Sequence, residues 1–150
     1  MNENNNLYLQ FFDAERTRST TDFLRIPGGP SLSYAAAHLQ SGRLQAALAG
    51  LGVSKGDRVV VQVGKSIEAV LLYLACLRIG AIYVPLNTAY TAAEVGYFIG
   101  DAEPALFVCD PAMEGGLGDA IRNGARQIET LSSDGSGSLS ELASGMHDVA

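Results

Sequence analysis

Three short apolar runs, separated by two stretches of helical periodicity, occupy the middle of the chain. Arg58 to Val63 reads RVVVQV and is bounded by Gly56-Asp57 and Gly64; Ala81 to Leu86 reads AIYVPL; Ala105 to Cys109 reads ALFVC. Runs this short and this rich in β-branched residues predict strands buried on both faces. After the first run, Ile67, Val70, Leu71, Leu74 and Leu77 recur with a helical period and cover most of the circumference. That predicts a deeply buried helix. Ser66 is placed to cap it, Glu68 opposes the macrodipole in its first turn, and Gly80 suits its left-handed stop. After the second run, Asn87 and Thr88 are expected to bond their own backbone in a turn, with Pro85 ending the ladder pairing of its strand. Thr91-Ala-Ala-Glu94 then predicts a capping box, each end side chain reaching a free backbone N–H. Val95, Phe98 and Ile99 form the stripe of that helix, and Gly100 is its predicted stop. Strands alternating with helices predict an α/β fold: right-handed crossovers and a mostly parallel sheet flanked by helices.

The flanks are less regular. Met1 to Asn6 is polar and predicts a frayed tail. Leu7 to Phe12 suits a short helix or an edge segment docked on the domain. Glu15 to Thr21 reads as loop, and Asp22 to Ile26 with Ser31 to Ser33 as a hairpin turned by Pro27-Gly28-Gly29-Pro30. From an N-cap at Ser33, Tyr34, Ala37, Ser41, Leu44, Leu48 and Leu51 share one face of a long helix that ends at Gly50 and Gly52. Beyond Asp110, Pro111 can open a weak helix broken by Gly115, Gly116 and Gly118. Gln127 to Leu131 predicts a further strand, Ser132 to Ser138 a flexible Gly/Ser-rich loop, and Leu139 to Ala143 a helical turn.

Composition narrows the function classes. At 150 residues the chain is about one domain. Hydrophobic residues make up 47% and charged residues only 17%, against roughly 25% for an average soluble domain. With a mean hydropathy of +0.14, this predicts a chain that needs more chain, or a partner, to cover its surface. The net charge is −6 and the lysines are Lys55 and Lys65, so no basic stripe offers itself to nucleic acid. No apolar run approaches the ~20 residues of a membrane span, and the polar start MNENNN lacks a basic n-region. The expected location is cytoplasmic, with Cys76 and Cys109 as buried free thiols rather than metal ligands.

Candidate chemistry is sparse. Gly64-Lys65-Ser66 follows a strand and opens a helix, where free N–H groups favour anions. The phosphate-loop pattern, however, needs a glycine where Val59 stands, so a helix cap and a solvated lysine are the better reading. Gly116-Leu117-Gly118 lacks the third glycine of a dinucleotide fingerprint, its place being taken by Ile121. His38 and His147 have no triad or metal-site neighbours in sequence. Glu68 and Glu94 serve helix starts, and Asp101 and Glu103 fall in a link. Asp110 ends a strand, where α/β sheets place ligands, but capping the helix at Pro111 is the better reading.

The order of these pieces is more specific than any one of them. Gly56-Asp57-Arg58-Val59, Lys65-Ser66, Gly80 to Asn87, Tyr90-Thr91 with Glu94, and Asp101-Ala102-Glu103-Pro104 together resemble the N-terminal part of the adenylate-forming (AMP-binding) superfamily. That superfamily includes acyl-CoA synthetases, peptide synthetase adenylation domains and luciferases. The run PLNTAYT, the DAEP link, VCDP at Val108 to Pro111, and the later ETL and DGSGSL are most similar to its malonyl-CoA synthetase branch. The resemblance covers Ser31 to Leu142. It implies an ATP-dependent acid–CoA ligase that adenylates a carboxylic acid, malonate on this branch, with Mg²⁺, and passes the acyl group to coenzyme A. It also implies that the phosphate loop, adenine motif, acid pocket, hinge and catalytic lysine all follow position 150. The reading is therefore an incomplete N-terminal domain, residues 1–150, with the rest of the ligase as its partner. No catalytic, cofactor-binding or metal residue is assigned, and no cofactor and no activity are expected of this chain alone. The alternatives are a stand-alone non-catalytic scaffold or interaction module derived from that fold, and a small nucleotide binder using Gly64-Lys65-Ser66.

Overall fold

The computed structural model describes residues 6–146. Two antiparallel strands, β1 (Asp22–Arg25) and β2 (Ser31–Ser33), form the expected hairpin. Four parallel strands, β3 (Arg58–Gln62), β4 (Ile82–Pro85), β5 (Leu106–Cys109) and β6 (Ile128–Thr130), form the main sheet in the order β4-β3-β5-β6. Counted from its first strand, that order is 2-1-3-4, a doubly wound arrangement that reverses direction between β3 and β5.

The period of two along each strand sorts the core into two layers. Val59, Val61, Leu106 and Val108 face one side; Val60, Phe107 and Cys109 face the other. The first side is covered by α1 (Leu7–Phe11), α2 (Tyr34–Gly50), α3 (Ile67–Ile79), α6 (Ser138–Ser144) and the hairpin. There Tyr8, Phe12, Phe23 and Tyr34 form an aromatic cluster, with neighbouring ring centroids 4.6 to 5.6 Å apart. The second side is covered by α4 (Ala92–Ala102) and α5 (Asp119–Gly124), whose Val95, Ile99 and Ile121 are buried. Each such side chain contributes about 1.5–3 kcal/mol by leaving water.

Most helix ends match the sequence reading. Ser33 accepts from the Ala36 N–H, and Ser66 from the Ala69 N–H, at 3.1 Å each. Gly80 closes α3 in the left-handed region at φ +80°. Asp110 accepts from the Ala112 N–H at 2.9 Å and caps a 3-10 turn over Pro111–Gly116.

Several expectations need correction. The β4 strand is not buried on both faces: it is the sheet edge, and Ile82 is 47% exposed. As expected, Pro85 is the last paired residue of β4, opposite Val61. Ile82 and Leu86 donate inward to the Asp57 and Val61 carbonyls at 2.7 and 2.8 Å, so the ring of Pro85, at the alternate parity, meets no ladder acceptor. Helix α4 runs past Gly100 to Ala102 and stops at Glu103, a non-glycine residue with φ +45°. Its capping box is one-sided: Thr91 accepts from the Glu94 N–H, but the Glu94 carboxylate takes the Thr91 hydroxyl rather than a backbone N–H. In α3, Leu71 and Leu74 are buried as expected, but Ile67, Val70 and Leu77 are half-buried, and Leu72, Ala75 and Cys76 complete the core. Glycines split the stretch after Asp110 into the 3-10 turn and a separate α5. The Ser132–Ser138 loop is folded, not loose, because Asp134 accepts from both the N–H and the hydroxyl of Ser136 while Ser132 N–H donates to the Ser136 carbonyl. Asn6 is not frayed: it caps α1 and donates to the Leu77 carbonyl at 2.8 Å.

Candidate functional site

In parallel sheets, ligands meet the carboxyl ends of the strands, where the connecting loops gather. Here the ends of β3 and β4 open onto a cleft of about 460 Å³, lined by Val63, Gly64, Lys65, Ala69, Tyr83, Pro85, Leu86, Asn87 and Thr88. It brings together the turn into α3 and the loop before α4, the two most distinctive stretches of the sequence.

The loop is held by a residue that sequence reasoning passed over. Gln62, the last residue of β3, is fully buried. Its amide nitrogen donates to the Asn87 and Tyr90 carbonyls at 3.1 Å each, while its carbonyl oxygen is buried without a partner. The Asn87 side chain accepts from the Ala89 N–H at 2.8 Å, the turn expected there. The signal was present as a lone amide in a run of valines, since a buried polar group is retained only where it bonds something. At the direction reversal between β3 and β5, Gln62 is paired in register with Cys109, and both are fully buried.

The turn Gly64-Lys65-Ser66 does not fit a triphosphate. Its hydroxyl is committed to the Ala69 N–H and to the Gly64 carbonyl at 3.2 Å, and three residues are too few to wrap phosphates. Lys65 is exposed. Gly116 and Gly118 fall between a 3-10 turn and a short helix on the far side of β5, away from any first βα turn. Among the described residues, no three His, Cys, Asp or Glu side chains gather as a metal-ligand set. Glu68 and Glu94 lie in the first turns of α3 and α4, and Asp101 and Glu103 at the end of α4. His147 lies outside the described residues, and His38 is a structural histidine against Tyr8.

Electrostatics point the same way. Burial pushes the Cys76 thiol up to about 12. It pushes Cys109 up to about 11, with the Glu114 and Asp110 carboxylates adding and Arg122 opposing. Neither thiol is a nucleophile near neutrality. Burial also raises the Tyr83 phenol beside the cleft to about 12, helped by Cys76 and Tyr73. This end of the sheet is braced by the Gln62 amide and apolar side chains.

Comparison with known proteins decides the family. The AMP-binding enzyme profile matches residues 12–146. The chain belongs to the AMP-binding enzyme family. Among solved structures, ATP-bound MatB from Rhodopseudomonas palustris, a malonyl-CoA synthetase, superposes with a TM-score of 0.88 at 41% identity. The match covers 97% of this chain and 29% of that one. Two curated relatives are the salicyl-AMP ligase / salicyl-S-ArCP synthetase of Mycobacterium tuberculosis and the acetyl-coenzyme A synthetase of Thiobacillus denitrificans. The first is 40% identical over 87 residues, 57% of this chain and 15% of its own length. The second is 35% identical over 96 residues, 63% of this chain and 15% of its own length. The chain thus has the fold of an adenylate-forming ligase's N-terminal part and spans under a third of the MatB chain. No helix among the described residues is long and apolar enough to cross a membrane.

Proposed function

We propose that this AMP-binding family chain is the N-terminal scaffold of an ATP-dependent acid–CoA ligase whose acid is malonate. In this reading the rest of the ligase adenylates the acid with ATP and Mg²⁺ and hands the acyl group to coenzyme A. The 150 residues supply sheet and helix layers and no reacting group. One observation carries the proposal: 97% of the chain superposes on ATP-bound MatB at 41% identity, and the Gly64-Lys65-Ser66 turn, its hydroxyl committed to its own backbone, does not fit a triphosphate. The half-bare edge of β4 supports it too, since a sheet edge with exposed apolar residues is normally covered.

A chimera tests the scaffold role. The chain replaces the matching part of Rhodopseudomonas MatB, and malonyl-CoA formation is followed. A folded chimera with activity near that of the parent is expected; a folded but inactive chimera overturns the scaffold reading. The acid is tested separately, on the complete product of the source gene. Malonate is expected to give the highest kcat/KM among malonate, acetate and salicylate. Preference for another acid removes malonate and leaves the ligase reading standing.

A further inference from the structure

Where α1 meets α2 and α3, three titratable side chains come together with no carboxylate among the described residues beside them. Tyr8 of α1 is buried, and its hydroxyl lies 2.5 Å from Nδ1 of His38 on α2. Arg78 of α3 enters beside it. One guanidinium nitrogen donates to the His38 carbonyl at 2.7 Å and to the Ser41 hydroxyl at 3.0 Å, and the guanidinium lies 4.7 Å over the Tyr8 ring. Among the described residues Arg78 forms no ion pair. The polar groups facing His38 are therefore Tyr8 from α1, Ser41 on its own helix and Arg78 from α3. Besides Tyr8, α1 is held by Phe12 in the aromatic cluster and by the Asn6 amide on Leu77.

We propose that α1 is a pH-sensitive latch, closed while neutral His38 accepts the Tyr8 hydroxyl and released when His38 takes up a proton. With its proton on Nε2, the neutral ring leaves Nδ1 as an acceptor. A protonated ring donates from both nitrogens, so the hydroxyl must turn round, and a second cation joins Arg78 with no carboxylate between them. Burial first, and the charge of Arg78 second, hold the folded His38 below its ordinary value. The latch therefore contributes in full above the unfolded value of about 6.5 and is lost as pH falls through the lower, folded value. The Tyr8 hydroxyl keeps its proton throughout, since burial raises its pKa.

Amide hydrogen exchange of the 150-residue chain, corrected for intrinsic rates and compared at about pH 7.5 and about pH 5, tests this. Amides of Leu7–Phe11 are expected to lose protection several-fold at the lower pH, while those of β3 hold. His38→Gln keeps an acceptor for Tyr8 without a titrating ring and is expected to hold α1 equally at both. An NMR titration of the His38 ring is expected to place its pKa below that of a model histidine. Equal protection of wild-type α1 at both pH values, the same loss in His38→Gln, or an ordinary His38 pKa would overturn the latch.

Discussion

The two edges of the parallel sheet are built differently. At β6 the outward Thr130 N–H donates to the Ser138 hydroxyl at 2.9 Å, and the Ser138 N–H returns a bond of the same length to the Thr130 hydroxyl. Ser138 also bonds the Glu129 carboxylate, and α6 buries Leu139 completely against the first layer. That edge is sealed by its own chain. At β4 no strand among the described residues pairs on the outer side: Ile82 is exposed, the Tyr83 N–H faces outward by alternation, and Pro85 has none. An apolar hollow beside it, lined by Val70, Tyr73 and Tyr83, continues the bare surface. Proline and a short strand discourage pairing with other chains, but they do not cover the surface. The contrast teaches that one edge is sealed by the chain's own hydrogen bonds while the other keeps exposed apolar surface, which is what the proposed scaffold role requires.

Substitutions can break either side, and the largest effect is expected at the sealed edge. Gly137 has φ +126°, and a Cβ there would be driven into the Thr130 carbonyl. Gly137→Ala is expected to destabilise the chain by about 3 kcal/mol in urea unfolding, because both the backbone angle and the contact resist it. A loss under about 1 kcal/mol would show that the seal is loose. On the open side, Gln62→Leu takes the amide donor away from the Asn87 and Tyr90 carbonyls. About 2 kcal/mol is expected to be lost, with faster exchange of the Tyr90 amide; unchanged stability would mean the loop does not depend on Gln62. Ser138→Ala removes the hydroxyl's bonds to the Thr130 N–H and the Glu129 carboxylate and leaves the Ser138 N–H bond; it is expected to cost about 1 kcal/mol, with Thr130 the amide whose exchange accelerates most. Ile82→Lys is expected to move stability by no more than about 0.5 kcal/mol, yet to reduce self-association in sedimentation velocity by charging the bare edge. Association unchanged by the lysine would place the sticky surface elsewhere.

How much of this was legible before any coordinates depended on whether the cause was local. Ser33, Ser66 and Asp110 as caps, Gly80 as a left-handed stop and the strands at Arg58, Ala81 and Ala105 all follow from neighbours a few residues away. The edge position of β4 does not, because strand order is set by the crossovers, so AIYVPL looks as apolar as ALFVC. The overrun of α4 past Gly100 was hidden for a related reason. Gly100 has open space around it and no need of a left-handed angle, whereas Glu103 accepts one where the chain must turn into β5. The clamp from Gln62 to the Asn87–Tyr90 loop joins elements 25 residues and more apart, and the Tyr8–His38–Arg78 cluster joins three helices. Only packing reveals either. The family resemblance was legible because it rests on residue order, which needs no packing at all.

The most direct test of the scaffold account is malonate-dependent ATP–pyrophosphate exchange by the purified 150-residue chain, with complete MatB as the positive control. The account predicts no exchange above the protein-free blank, because it assigns the triphosphate and the carboxylate to the rest of the ligase. Exchange that depends on malonate and survives repurification would contradict it, and would place an adenylating site within these residues.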